Sequence, residues 1–285
     1  MNDNQPNDQA GSAPSAQPSP AEFQAYIEAN KRAWATVAQE HYQTFLAILS
    51  QRETRLDDTV RQELGEISGK KILHLQCNTG ADSISLARLG ADVTGVDLVP
   101  ENVHFARKLA TDLGVSNVRF IESNVLTLME SHHEKYDIVF TTEGVLCWLP
   151  DLYQWARNVR HFLADDGFLY LLDSHPFFMV WDEEKWPELA VKYPYFAKNS
   201  YEEEWIGGYA SSSKQAVNYS WMYTIGEIVT ALAQAGLHIL WLHEFDWLFY
   251  RLPVDGVYKD EQGHWQYPHN RQKLPLTFSL KAVVR

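Results

Sequence analysis

Cysteine is scarce in this sequence: 285 residues carry 2. Two cysteines exclude a disulfide framework, and no Cys/His group at ligand spacing suggests a metal. Positive charge is short as well. Against 37 Asp and Glu stand 24 Lys and Arg, for a net charge of −13 at pH 7. Phosphate backbones are held by clustered Lys and Arg, so nucleic acid is not the expected partner. The same sign disfavours docking on an anionic membrane surface. No apolar run reaches the roughly 18 residues of a membrane span. Residues 1–20 (MNDNQPNDQAGSAPSAQPSP) lack the basic and apolar regions of a signal peptide, so the expected compartment is the cytoplasm. That segment is also poor in apolar side chains and reads as a disordered tail.

What is abundant is unevenly placed. Of 37 aromatic residues, 28 lie from Trp148 onward, among them nine of the ten tryptophans. Residues 21–51 read as helix and Asp57–Ile67 as a shorter one; together 21–67 are expected to form a helical lid. From Lys70 strands and helices alternate. KILHL (71–75), DVTGVD (92–97), VRFIES (118–123), YDIVFTT (136–142) and FLYLLDS (168–174) are apolar runs of strand length, the last entered through a turn at Asp165–Gly167. Residues 81–89, 100–113 and 151–163 fit helices, with Pro100 in a first turn and Gly114 just past a C-terminus. Such alternation indicates a parallel, doubly wound α/β sheet. After Ser174 the pattern breaks: 175–223 reads as irregular, aromatic and acidic. A helix at 226–235 and strands at 237–245 and 276–284 follow. With no helix between them, the last two strands form a hairpin, so the final strand runs antiparallel. Residues 246–275 form a long insertion between them.

The chemistry is carried by the first strand–turn–helix. Its turn, Gln76-Cys77-Asn78-Thr79-Gly80, holds one glycine where a dinucleotide enzyme would use G-x-G-x-x-G to bring backbone against a pyrophosphate. Asp97 ends the second strand, where an acid accepts hydrogen bonds from both hydroxyls of a ribose. The pair indicates a nucleoside ligand without phosphates.

The run ILHLQCNTGADSISLARLGADVTGVDLVPENVHFARKLA closely resembles the class I S-adenosylmethionine-dependent methyltransferases, in a bacterial branch whose first motif reads LxLQCxxG. The resemblance covers about Lys70–Ser174. It implies a Rossmann-like, mostly parallel seven-stranded sheet with an antiparallel last strand, and S-adenosyl-L-methionine as cofactor. By the resemblance, Gly80 lets the turn approach the donor, and Asp97 binds the ribose. Asn124 meets the adenine amino group, and Val125 packs on the adenine or offers its backbone N–H. Thr142 and Glu143 sit beneath the methionine portion and sulfonium. Three residues depart from the family pattern: His74 replaces an acid, and Gln76 and Asn78 replace glycines, so the donor's amino-acid end is bound differently here.

Two further groups are candidates. Asn30, Trp34 and His41 share one face of the first helix at i, i+4 and i+11, which places Trp34 near the donor and His41 near the acceptor. His175 follows the fifth strand at the sheet's carboxyl edge, where an imidazole of ordinary pKa near 6.5 suits proton removal. His132 and His133 read as solvated, His104 and His161 as structural. Rings from Trp181 to Tyr219 (Trp181, Trp186, Tyr193, Tyr195, Tyr201, Trp205, Tyr209, Tyr219), interleaved with Glu183, Glu184, Glu188 and Glu202–Glu204, suggest a chamber for an aromatic or amine acceptor. The expected reaction is in-line methyl transfer to a small molecule. Two other readings remain: a non-catalytic nucleoside binder, suggested by the altered turn, and a nicotinamide oxidoreductase, opposed by the single glycine.

Overall fold

The computed structural model describes residues 20–284, apart from 183–184, 186–187, 198–199, 253, 268–269 and 272. The expected disordered tail, along with Glu183, Glu184 and Trp186, lies outside the described residues. Helices α1 (Pro20–Ala35), α2 (Ala38–Leu49) and α3 (Asp58–Leu64) lead into β1 (Lys71–Leu75), α4 (Ala81–Arg88), β2 (Asp92–Asp97), α5 (Pro100–Asp112) and β3 (Val118–Glu122). Next come β4 (Tyr136–Thr141), α6 (Leu152–Phe162), β5 (Leu163–Ser174), β6 (Ser200–Ile206) and β7 (Lys214–Trp221). The chain closes with α7 (Ile225–Gln234), β8 (Leu237–Phe245), β9 (Tyr258–Lys259), β10 (Trp265–Gln266) and β11 (Thr277–Val284).

Among the described residues the main sheet has seven strands in the order β3-β2-β1-β4-β5-β11-β8. β3 to β5 run parallel, and β11 pairs antiparallel with both β5 and β8. A parallel strand is covered on both faces, which is why β1 buries every residue after Lys71. On one face Trp155, Phe162, Leu232 and Phe278 fill the space beneath α6 and α7. On the other, Ile72, Phe140 and Tyr170 form one cluster, while Tyr42, Phe45, Ile84 and Phe120 join α2 to α4 and α5. Strand order reverses between β1 and β4, and ligands bind at that crevice in open sheets of this kind.

Four sequence expectations need correction. The helix over 21–51 is two helices. The Thr36 hydroxyl donates to the Ala33 carbonyl at 2.6 Å, and the Val37 N–H bonds Trp34 O at 3.3 Å, so the carbonyl that a continuing helix would use is already taken. Asp165–Gly167 is no turn but a bulge within β5: Tyr136 pairs with Leu163 and Ile138 with Phe168, leaving Asp137 opposite residues 164–167.

The block 175–223 is likewise not wholly irregular, since β6 and β7 form an antiparallel hairpin. That hairpin is tied to the N-terminal helices. Asn30 bonds Tyr219 through both its amide groups, at 2.8 and 2.7 Å. Thr44 donates to Ala210 O at 2.8 Å, and Glu40 accepts from the Ser212 N–H at 2.8 Å and pairs with Lys214. His132 is also not simply solvated: its Nε2 lies 2.6 Å from the Tyr136 hydroxyl.

Candidate functional site

The carboxyl ends of β1, β2, β4 and β5 open on a cavity of 1360 Å³. Asp97 is held at its wall by the donors around it. Oδ2 accepts the Asn78 N–H at 2.8 Å, and Oδ1 accepts the Val99 N–H at 3.0 Å and the Asn102 amide at 3.1 Å. Burial raises its carboxyl to about 6, against the pull of those donors. Gln76 and Asn78, the residues in place of glycines, both have positive φ (56° and 50°). Gln76 Nε2 donates to Val145 O at 3.0 Å, while its Oε1 is buried and has no hydrogen-bond partner among the described residues. Asn78 Oδ1 accepts the Thr79 N–H at 2.7 Å and lies 3.1 Å from His41 Nδ1.

Of the eleven residues expected to bind the donor or take part in catalysis, eight line this cavity: Trp34, Gln76, Asn78, Asp97, Asn124, Val125, Thr142 and Glu143. Three do not. Gly80 faces away, and a Cβ there would stand 2.7 Å from the Phe120 ring and 2.9 Å from Ala106 Cβ, at φ +77°. Packing and backbone therefore both call for glycine here. Gly80→Ala should cost about 2–4 kcal/mol from left-handed strain and overpacking combined, read as a lowered urea midpoint.

His41 is fully buried beneath Asn78, its Nε2 without a partner among the described residues, and burial lowers its pKa. It touches Asn78 in the turn between β1 and α4. The helix breaks between Trp34 and His41, so they do not share one helical face, yet they still meet edge to face, 6.0 Å between centroids. His175 has both nitrogens engaged: Nδ1 accepts the Phe177 N–H at 3.0 Å, and Nε2 donates to Glu244 at 2.9 Å across the sheet. That leaves no free nitrogen to take a proton.

The departure His74 is a cavity residue too. Its Nδ1 lies 2.8 Å from Ser83 Oγ, and burial lowers its pKa to about 4, so it is neutral. Asn124 Oδ1 accepts the Leu126 N–H at 2.9 Å, and Asn158 anchors Val125 through its carbonyl.

Several wall residues had no signal in the sequence. Arg55, from the loop before α3, donates to Asp82 and, at 3.0 Å, to Glu143. Burial opposes the guanidinium charge, but Asp82 and Glu143 outweigh it and raise its pKa. Burial raises the Glu143 carboxyl to about 7; Arg55 opposes the rise only in part, and the charge of Asp82 adds to it. Asp173 at the end of β5 accepts the N–H groups of Val145 and Leu146 at 3.0 and 2.8 Å, and burial lifts it to about 6. Of the rings expected in an acceptor chamber, Trp205 and Tyr209 reach the wall. Tyr193, Tyr195 and Tyr201 pack together with Val180, Ala197 and Met222 instead, and Tyr219 stacks on Tyr26 at 4.1 Å. The insertion 246–275 supplies Phe249, Tyr250 and Trp265. Tyr209, at the hairpin tip, lies 3.3 Å from Asn78 Nδ2 and 3.4 Å from His41 Nδ1.

Known proteins share sequence and fold with this chain. A family model described as a methyltransferase domain matches residues 66–222. A ubiquinone biosynthesis O-methyltransferase of Actinobacillus pleuropneumoniae is 34% identical over 116 residues, 40% of this chain and 49% of that protein. Its counterpart in Photorhabdus laumondii is 39% identical over 126 residues, 44% of this chain and 49% of that protein. The chain thus spans about half the length of the curated relatives it matches. Two solved S-adenosylmethionine-dependent methyltransferases share the fold. That from Methanosarcina mazei has a TM-score of 0.53 at 17% identity, covering 81% of this chain and 99% of that one. That from Mesorhizobium loti has a TM-score of 0.51 at 17% identity, covering 79% and 95%. Among the described residues no helix is long and apolar enough to cross a membrane. The chain belongs to the methyltransferase domain family, in its class I, S-adenosylmethionine-dependent form.

Proposed function

We propose that this protein transfers a methyl group from S-adenosyl-L-methionine to a small acceptor carrying an aromatic ring or an amine, in the cytoplasm. The observation that carries the reading is the pairing of Asp97 with the orphaned Gln76 Oε1 on one cavity wall. An acid at the end of β2 suits two ribose hydroxyls, and a buried acceptor without a donor suits the ammonium of a methionine portion. Asn124 and Val125 take the adenine, and Trp34 closes over the donor from α1. The sulfonium supplies an activated methyl group, so the protein's task is alignment and exclusion of water. Thr142 and Glu143 lie beneath the methionine portion. Glu143 is also the wall group suited to removing an acceptor proton, in the place first given to His175. His41 holds Asn78 and thereby the turn. Helices α1 and α2 with the β6–β7 hairpin form the lid.

Calorimetry tests the reading: S-adenosylmethionine and S-adenosylhomocysteine should both bind, and binding of neither overturns it. The affinity should also follow Asp97. Ribose hydroxyls donate to the ionised carboxylate, so binding is full above its pKa and is lost as protonation competes. Affinity should be level above about pH 7 and fall by up to about tenfold per unit below about pH 6. A flat profile from pH 5 to 8 would remove Asp97 from the ribose site.

A further inference from the structure

The cavity wall also carries cations outside the β1–α4 turn. There the segment after α2 faces the insertion 246–275, and Arg52, Arg251 and Lys259 all line the space. Among the described residues none of these three has an ion pair, whereas Arg55 beside them is matched by Asp82 and Glu143. Glu261 is the carboxylate of the insertion on that wall. Lys259 Nζ stands 5.6 Å over the Trp265 ring. Burial lowers the Lys259 pKa, the nearby Arg52 and Arg55 charges add to that, and Glu143 and Asp57 oppose it. Asp57 and Glu143 offset these charges only in part, so an anion entering between Arg52 and Lys259 relieves their mutual repulsion. Rings flank them: Phe249 passes 3.8 Å from where a Gly144 Cβ would stand, next to Glu143, and Trp265 lies under Lys259.

We propose that the acceptor is an aromatic carboxylate, its ring held between Phe249 and Trp265 and its carboxylate bound by Lys259 and Arg52. This rests on the methyl-transfer reading and narrows its acceptor. A carboxylate bound at that wall turns the other end of the ring toward Glu143 and the donor. Lys259 and Arg52 set specificity rather than chemistry. The preference for a carboxylate over an amide of the same shape comes from the charge alone.

The test uses benzoate, 4-hydroxybenzoate, phenylacetate and indole-3-acetate, each beside its primary amide, titrated into the full chain with and without S-adenosylhomocysteine. At least one acid should bind about tenfold tighter than its amide, and added salt should shrink the difference. Lys259→Met and Arg52→Gln should each erase most of that preference while S-adenosylhomocysteine affinity, measured on the same samples, stays within about twofold. Equal binding of acid and amide, no binding of any acid, or a preference surviving in both variants overturns the proposal. Failure of S-adenosylhomocysteine to bind the unaltered chain strikes the donor reading instead, because acid binding is scored without it.

Discussion

Arg55→Met should lower the unfolding free energy by about 3–5 kcal/mol near pH 8, the range for removing one partner of a buried ion pair. The reason is what stays behind. Asp82 and Glu143 remain in the cavity wall without the guanidinium that donates to both. A methionine of similar length fills the space but leaves two carboxylates facing each other. The loss should shrink as pH falls. With the Glu143 carboxyl already raised to about 7 by burial and Asp82, and raised further once Arg55 is gone, mild acid neutralises it by protonation. Urea titrations at pH 8 and pH 5.5 should therefore differ more for the variant than for the parent. Adding Glu143→Gln should recover part of the stability at pH 8. A loss below about 1 kcal/mol at both pH values would mean that the pair is solvated and contributes as surface pairs do.

Asp97→Asn should weaken S-adenosylhomocysteine binding by about 100-fold, from two hydrogen bonds to a charged group worth about 1.5 kcal/mol each. Asparagine keeps the shape and one acceptor, so the Val99 N–H and the turn stay close to their positions. The Asn78 N–H would face an amide nitrogen or force a flip. Asp97→Ala should be worse for folding as well, since it strips the acceptor from three buried donors at once. The conservative variant separates the two effects: affinity falls while the unfolding midpoint moves little. A change in affinity under about threefold would refute the ribose contact.

The sequence shows what is local. KILHL reads as a buried strand because four apolar or neutral residues have no polar face to offer, and the turn, Asp97 and the order of elements follow from neighbouring residues. The antiparallel final strand was legible because no helix separates it from β8. Arg55 was not legible, because in RETRLDD its charge looks like one more solvated member of a mixed run. Its partners lie 27 and 88 residues away. The break between α1 and α2 has no glycine or proline to mark it and depends on one Thr36 hydroxyl. The β6–β7 hairpin was hidden by three consecutive glutamates and by a long tip, Gly207–Ser213, that resembles no tight turn. His175 stood at the right edge of the sheet. What the sequence lacked was Glu244, which reaches it only once β11 has brought β8 alongside.

The bonds between α2 and the hairpin tip bear on the order of synthesis. Glu40 and Thr44 leave the ribosome about 170 residues before Ser212 and Ala210, their hydrogen-bond partners. Asn30 waits still longer for Tyr219. Contacts so distant in sequence form late, because the loop they close must be made first. The nascent N-terminal helices therefore have to wait, their apolar faces open, while the strands of the sheet are still being made. Helices α1 and α2 are thus made before the sheet and are among the last elements to settle.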